Sequence, residues 1–485
     1  MANAYETVIG LECHVELSTD TKMFCGCRNA FGSPPNSNVC PVCLGLPGSL
    51  PVPNERAIES IVRIGLALGS EIAPGSLFHR KNYFYPDMPK DYQISQYDLP
   101  VCVGGRLEIE VDGRRRTIGI TRVHMEEDTG KTSHVGAGGR IGQADYALVD
   151  YNRAGVPLVE CVSEPDMRSA EEARAYFTEL RATLEALDVS DVRMEEGSLR
   201  CDANVSTRRA GETALGTKVE IKNLNSVRSL ERALRFEEER QRNALEDGEP
   251  LVQETRHFDE ETGATHTLRS KEEAFDYRYF PEPDLPPLEP DRAWVQALEA
   301  GLPELPAARR DRYVTELGLR PEQARILVGS PATAAFFEAT VALGADPVAA
   351  SNWITQDLAG LVNTARIELA AAKVTPKHIA DLVALVADDT ISATGAKQML
   401  EEAFETGDAA EAIVERRGLR QVVDSAALEA WVDEAIAENP GPVEQFRGGK
   451  EGALNAVLGQ VMKKSGGSAN PKAVRELLLQ RLSGS

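Results

Sequence analysis

Through roughly the first 290 residues, apolar side chains recur at every second position in short runs bounded by turn-forming residues, which is the pattern of half-buried strands. In the segment 7–17, Ile9, Leu11, Cys13, Val15 and Leu17 point one way and Glu12, His14 and Glu16 the other. The same alternation predicts strands over 106–111, 117–124, 144–151, 158–162, 199–207 and 218–223. Two stretches switch to a helical period. One opens at Ser169, with Glu172 three residues on as in a capping box, and carries Ala173, Tyr176, Phe177, Leu180, Leu184 and Leu187 on one face. The other runs from about 226 and stops before Gly248. Strands outnumber helices and many are joined by turn text, so the pattern predicts an α+β unit on a largely antiparallel sheet.

A proline-rich run, Pro281-Glu-Pro-Asp-Leu-Pro-Pro287, closes this region, and Tyr277-Arg-Tyr-Phe280 before it suggests a packed crossing rather than a loose linker. Beyond it the text is rich in Ala, Leu, Glu and Arg. Helix starts stand at Thr375-Pro376 and Ser392, stops at Gly344 and Gly418, and no strand signal is present. A second boundary is expected between 405 and 425. The division is therefore 1–290, 291–410 and 411–485, with Gly136-Ala-Gly-Gly139 read as a flexible loop and Ser465-Gly-Gly-Ser468 as a flexible turn.

The 485 residues exceed what one core serves, and 42% apolar with 27% charged content is ordinary for a globular chain. No run of about 18 apolar residues is present and the N-terminus lacks a signal peptide's pattern, so no membrane span and a cytoplasmic location are expected. The net charge of −23 repels nucleic acid at long range. An RNA partner must then meet a local patch. Residues 441–485 hold four Lys and three Arg against three Glu, 7 − 3 = +4; a solvated helix face gives the same count.

Several strand faces mix Glu, Asp, His, Asn and Arg. Arg200, Asp202, Asn204 and Ser206 share one, and Lys218, Glu220 and Lys222 another. A half-exposed antiparallel strand produces such alternation without function, but solvent faces favour Thr and Lys. A carboxylate-rich face suits magnesium, which takes oxygen ligands and phosphates. In His124-Met-Glu-Glu-Asp128 alternation puts Glu126 with His124 and Glu127 with Met125, and a bulge would turn either inward. Lys81, in Arg80-Lys-Asn-Tyr-Phe-Tyr-Pro-Asp87, is a candidate phosphate contact. No Walker-type glycine–lysine loop is present.

Eight cysteines are present. Cys13, Cys102, Cys161 and Cys201 read as small buried apolar residues. Cys25, Cys27, Cys40 and Cys43 form two close pairs, the spacing of a closed tetrahedral zinc site, with reduced thiols or a redox pair as the alternative.

Longer strings now carry a resemblance. Val8-Ile-Gly-Leu-Glu-Cys-His-Val-Glu16, His124-Met-Glu-Glu-Asp-Thr-Gly-Lys131, Val162-Ser-Glu-Pro-Asp166, Met194-Glu-Glu-Gly-Ser-Leu-Arg-Cys-Asp-Ala-Asn204, Glu220-Ile-Lys-Asn-Leu-Asn-Ser226 and Tyr279-Phe-Pro-Glu-Pro-Asp-Leu285 resemble the B subunits of the bacterial tRNA-dependent Asp/Glu amidotransferases (aspartyl/glutamyl-tRNA amidotransferases). Arg447-Gly-Gly-Lys-Glu-Gly452 and Gly459-Gln-Val-Met-Lys-Lys464 extend the likeness to the tail. The resemblance implies a cradle domain like those of glutamine synthetase and guanido kinases, then a helical domain and a tRNA-binding tail. It implies ATP-dependent phosphorylation of the side chain of mischarged Glu-tRNA(Gln) or Asp-tRNA(Asn), then amidation by ammonia from a partner glutaminase (an amidase subunit). A small third subunit would complete a heterotrimer. Glu12, His14, Glu127, Glu160, Asp202 and Glu220 are the implied catalytic residues, all but Glu160 also as magnesium ligands. Lys81 and Arg200 are the implied nucleotide contacts, and Cys25, Cys27, Cys40 and Cys43 hold zinc. A free-standing kinase of a small carboxylate or guanidino compound and a non-catalytic RNA-binding scaffold are the rival readings.

Overall fold

The computed structural model describes residues 4–136, 144–270, 277–421, 425–465 and 469–483. Most of the glycine-rich loop at 136–139 and of the turn at 465–468 lies outside them. The chain divides into two compact units, Met1–Ala307 and Ala308–Ser485.

The strands of the first unit are β1 (Tyr5–Glu16), β2 (Glu71–Ile72), β3 (His79–Asn82), β4 (Tyr92–Ser95), β5 (Cys102–Val103), β6 (Arg106–Val111), β7 (Arg114–Glu127), β8 (Lys131–Val135), β9 (Tyr146–Asp150), β10 (Pro157–Ser163), β11 (Leu199–Arg209), β12 (Val219–Leu224), β13 (Glu254–Asp259), β14 (Ala264–Ser270) and β15 (Phe280–Pro281); the alternation predicts β1, β6, β7, β9, β10, β11 and β12 and misses the others. A 13-stranded sheet runs β14-β13-β12-β11-β1-β10-β7-β4-β3-β15, with β2, β5 and β6 joined to it near β7. Its pairings are antiparallel except β12 with β13. Strands β8 and β9 form a separate ribbon.

The sheet is two-faced. Ile9, Leu11, Cys13 and Val15 of β1 join Val123, Met125, Val159, Cys161, Cys201 and Ala203 on the apolar face. Helices α1 (Glu55–Ala67), α2 (Ala170–Ala186) and α3 (Val227–Asp247) supply the other half of that core, with Ile61, Ile64, Tyr176, Phe177, Leu180 and Leu230 all buried. Each large apolar side chain so buried contributes about 1.5–3 kcal/mol. Local chemistry sets the helix ends. The Ser169 hydroxyl accepts the Glu172 N–H at 3.2 Å, while the Glu172 carboxylate accepts the Arg168 N–H at 2.8 Å, one residue earlier than a strict capping box. Helix α3 stops where Gly248 turns left-handed, at φ 77°.

The proline run is an ordered crossing. Phe280 and Pro281 pair with Arg80 and His79, and the Arg80 guanidinium grips buried Glu282 with two hydrogen bonds of 2.6 and 2.8 Å. The compact unit then continues past residue 290. Helix α4 (Arg292–Ala300) and the turn after it place Trp294, Val295, Leu298, Leu302 and Leu305 against the first core, so this helical text belongs with the sheet through Ala307.

The second unit is helical in its described residues. Helices begin after Thr375 and Ser392, and Gly344 and Gly418 follow helix ends with φ of 94° and 61°. It contains two apolar clusters. One, from Tyr313 to Val414, includes Tyr313 packed edge-on to Phe337 at 5.0 Å; the other runs from Leu428 to Leu482. Among the described residues no helix is long and apolar enough to cross a membrane.

Candidate active site

The opposite face of the sheet is polar, and strand register decides which side chains meet there. Arg200 opposes His14, His14 opposes Glu160, and Glu160 opposes His124, so four strands bring one polar row together. Two residues along β1, Glu12 opposes Asp202; further along β11, Asn204 opposes Glu220. On the other side of the row, Glu126 opposes Ser95, and Lys81 opposes Gln93. Glu12, His14, Glu160, Asp202, Glu220, Lys81 and Arg200 thus share one polar face of the sheet, the floor of the basin.

Within it, a compact centre forms around the two histidines. His124 Nε2 is 3.4 Å from Glu126 Oε1 and 3.6 Å from Glu160 Oε2, and His14 Nε2 is 3.5 Å from Glu160 Oε2. Ser95 Oγ and Gln93 Nε2 donate to the two Glu126 oxygens at 2.9 and 3.0 Å, and Lys81 Nζ lies 3.9 Å from Oε1. Burial alone would push Glu126 up; the Lys81 ammonium and the His124 ring overcome it and hold the carboxyl below its usual range. Glu160 is buried too and is held down by His124 and His14. Burial works against the charged form of Lys81, yet Glu126 raises it. Burial also lowers His14, and its bond to Glu160 more than offsets that. Ligand atoms of His124, Glu126 and Glu160 all lie within 4.8 Å of one another. Two buried carboxylates beside imidazole nitrogen form an O,N donor set that fits magnesium or manganese.

A second cluster lies along the same face. Asn204 Nδ2 donates to Glu12 at 2.9 Å, Lys222 Nζ to Asp202 at 2.6 Å, and the Thr255 hydroxyl to Glu220 at 2.8 Å. Lys222 also stands 3.3 Å from Glu220. Burial and then the charges of Glu160, Asp202 and Glu220 raise Glu12. At the near end, Arg200 Nη2 bonds Asp128 at 2.6 Å. Burial and Asp128 push Glu16 up to about 8, so it is a neutral acid at pH 7, while Arg200 and Arg153 hold buried Asp128 ionised.

Glu127 is the expected ligand that the fold turns elsewhere. Alternation persists from Arg122 to the end of β7 without the bulge that would rotate it inward, so Glu126 takes the place beside the histidines. Glu127 instead pairs with buried Lys90 and accepts the Ile94 N–H at 2.9 Å. The motif string left the choice between Glu126 and Glu127 open and gave His124 no role; strict alternation from Arg122, which puts His124 and Glu126 on one face, was the signal for both. The aromatic wall beside the centre had no local signal. Tyr97 stacks on Tyr279 at 5.3 Å and meets His124 edge-on at 6.1 Å, which only folding brings about.

Cys25, Cys27, Cys40 and Cys43 bring their sulfurs within 4.8 Å of one another, apart from the basin's ligand set. The Cys40 N–H donates to Cys43 Sγ at 3.1 Å, as in a metal knuckle. Its hydrogen bond from Cys25, with Lys22 nearby, draws Cys43 down to about 5; Cys25 is pushed up by the same bond and by burial. Four thiolates at this spacing need a dication to coexist, and their softness and tetrahedral number fit zinc.

Comparison with known proteins agrees with this architecture. The GatB/GatE catalytic domain model matches residues 7–296 and the GatB domain model residues 335–482. Among curated relatives, the aspartyl/glutamyl-tRNA(Asn/Gln) amidotransferase B subunit of Moorella thermoacetica is 55% identical over 479 residues, covering 99% of this chain and 100% of that protein. The same protein from Anaeromyxobacter sp. (strain K) is 54% identical over 483 residues, covering 99% of each. That of Frankia casuarinae is 54% identical over 484 residues, covering 99% and 96%. With two-faced sheet, helical second unit and end-to-end likeness all in agreement, the chain belongs to the GatB family, the B subunits of the aspartyl/glutamyl-tRNA amidotransferases.

Proposed function

We propose that this chain carries out the ATP-dependent half of tRNA-dependent transamidation. A side-chain carboxylate oxygen of Glu on tRNA(Gln), or Asp on tRNA(Asn), attacks the γ-phosphorus of ATP. The bond to the β,γ-bridging oxygen breaks, and its electron pair leaves with ADP. The nitrogen lone pair of ammonia then attacks the acyl carbon of the mixed anhydride; the bond to phosphate breaks, and the proton lost by nitrogen leaves with inorganic phosphate. Activation is needed because an unmodified carboxylate would have to expel oxide.

The observation that supports this reading is the convergence of His14, His124, Glu126, Glu160 and Lys81 on one face of the sheet. A divalent ion held by His124, Glu126 and Glu160 would spread the charge of the phosphoryl group and orient it. Lys81, kept cationic by Glu126, faces the same place and offsets phosphate charge. Ser95 and Gln93 fix the Glu126 carboxylate. Asn204 and Lys222 hold Glu12 and Asp202 on the adjacent stretch. The sheet floor beneath is apolar and buried, so water reaches the centre from one side only.

Ammonia is assigned to a partner glutaminase, because the chain has no Ser-Lys amidase signature, and a small third subunit completes the complex. The zinc knuckle is structural, since four protein thiolates leave no open position. The tail with its own core from Leu428 to Leu482 is the tRNA-binding domain. A free-standing small-molecule kinase is the second reading; the separate tail core from Leu428 to Leu482 favours the first, because a small substrate has no use for it.

The test is amide formation by the chain co-purified with its partners, given ATP, magnesium, glutamine or ammonium, and each mischarged tRNA. Conversion of Glu-tRNA(Gln) or Asp-tRNA(Asn) with one ADP per amide is expected. ADP formation that ignores the charged tRNA would reject the proposal in favour of the kinase.

A further inference from the structure

Arg122 precedes His124 by two residues on β7 and so faces the same basin. Its register neighbours, Val162 on β10 and Val103 on β5, offer no acceptor side chain. The guanidinium carbon lies 4.3 Å from the centre of the Tyr97 ring, whose edge meets His124 and whose face stacks on Tyr279. Its Nε is buried and has no hydrogen-bond partner among the described residues.

Arg200 on the same face also has a buried Nε without a partner, so what sets Arg122 apart from the other enclosed cations is the lack of a carboxylate partner among the described residues. Lys81 is matched to Glu126 at 3.9 Å, Lys222 to Asp202 at 2.6 Å, and Arg200 to Asp128 at 2.6 Å. Arg122 makes a ring contact, which holds its plane but satisfies none of its donors. A desolvated guanidinium donor with no acceptor is unfavourable, and a fold retains one where a ligand supplies the acceptor. The fork of N–H groups suits an oxyanion bound by two parallel hydrogen bonds. Same-face neighbours on a strand stand about 7 Å apart, so one phosphoryl group spans the distance between Arg122 and ligands gathered at His124. Its charge also matters: a basin lined by Glu12, Glu126, Glu160, Asp202 and Glu220 repels polyphosphate, and a further cation facing that basin opposes the repulsion.

We propose that Arg122, held flat by Tyr97, is the oxyanion-binding residue that grips the phosphoryl group in transfer from ATP. This rests on the transamidation reading above. The guanidinium is fixed before substrate arrives, so its donors stabilise charge developing on the phosphoryl oxygens without reorganisation.

The experiment uses the full chain with its partner subunits and follows ADP release that depends on Glu-tRNA(Gln), with ammonium as nitrogen source. Arg122→Gln should lower kcat for ADP release about 10²–10³-fold, the usual loss on removing one such donor. Mn2+ affinity and the melting midpoint should match wild type. Arg122→Lys should recover about one order of magnitude, because it restores charge without the fork. Free guanidinium should accelerate Arg122→Ala at least about 10-fold and leave wild type unchanged, a rescue that a purely structural arginine would not show. Wild-type kcat and KM for ATP in Arg122→Gln would overturn the inference, as would a rise confined to KM for the charged tRNA, which would assign the oxyanion to the tRNA or its carboxylate. Should Arg122→Gln fail to fold, an Arg122→Lys protein with normal kcat decides against it. A wild-type complex that forms no amide at all would count against the transamidation reading instead, so the two failures are distinguishable.

Discussion

His14 and Glu160 stand opposite each other on β1 and β10, with Nε2 3.5 Å from Oε2. Glu160 also faces His124 at 3.6 Å, so one carboxylate links two histidines from two other strands. This bridge makes the centre a single electrostatic unit. Glu160→Gln should therefore lower Mn2+ affinity by about 10–100-fold or more, read by electron paramagnetic resonance titration, with ATP cleavage falling in parallel. Wild-type affinity in that variant would show that the metal binds elsewhere.

Glu126 and Glu127 are neighbours in the chain with opposite environments. Glu126→Gln should weaken Mn2+ binding, with some loss of stability because it removes the carboxylate beside Lys81. Glu127→Gln should leave Mn2+ binding intact but strand Lys90, whose side chain is only 7% exposed. Breaking a buried pair by removing one partner costs about 3–5 kcal/mol, visible in urea unfolding. Equal metal affinities in the two variants would contradict the geometry.

The cysteine cluster should hold one zinc per chain by elemental analysis. Cys40→Ser should lose most of it and expose the remaining thiols to modification reagents. Prolonged chelation should lower stability and slow neither ATP binding nor its cleavage until the knuckle opens, because the cluster is separate from the histidine centre. Full thiol reactivity in freshly purified wild-type protein with no zinc would discard the assignment.

Acid sensitivity should arise partly beneath α3. Burial pushes Glu254 up, but bonds from the Thr267 hydroxyl (2.7 Å) and Arg256 (2.6 Å) outweigh it and hold the carboxyl below its ordinary value. The native state then binds fewer protons than the unfolded chain just below the unfolded value of about 4.3. The stabilisation is full above that value and disappears as pH falls through the lower native value. Urea midpoints between pH 6 and pH 3 should fall less steeply in Glu254→Gln than in wild type. Parallel curves would show that Glu254 contributes nothing to acid unfolding.

Ending the chain after Gln421 removes the Leu428–Leu482 core as a unit. Affinity for tRNA, measured by filter binding at fixed salt, should drop at least about 10-fold, since phosphate contacts dominate such affinities. ADP release at saturating tRNA should change less. Equal affinity with and without the tail would reject its assignment to tRNA.

Much of this was legible in the chain. Alternation along 7–17 already put Glu12 and His14 on one face, and Ser169, Ser226, Thr375 and Ser392 marked helix starts that the structure keeps. Short polar strands were not legible. β3 (His79-Arg-Lys-Asn) and β13 (Glu254-Thr-Arg-His-Phe-Asp) lack apolar alternation, because their partners, not their own side chains, hold them in the sheet. The first unit's extent was hidden for a similar reason: Trp294 and Leu298 read as helix, and nothing in a helical period says which core it covers.

Which side chains share a face follows from the order of residues alone, since the two-residue period of a strand and the turns around it are local properties of the backbone. The family likeness follows from it too, because it runs through contiguous motifs. Which faces meet, and in what register, depends instead on packing between distant segments. Burying the apolar side of the sheet under three helices selects one alignment, because a slip of one residue would turn every polar group into the core. That alignment sets Glu160 between two histidines, gives Arg200 to Asp128, turns Glu127 toward Lys90 and leaves Arg122 against Tyr97 with no acceptor for its Nε among the described residues.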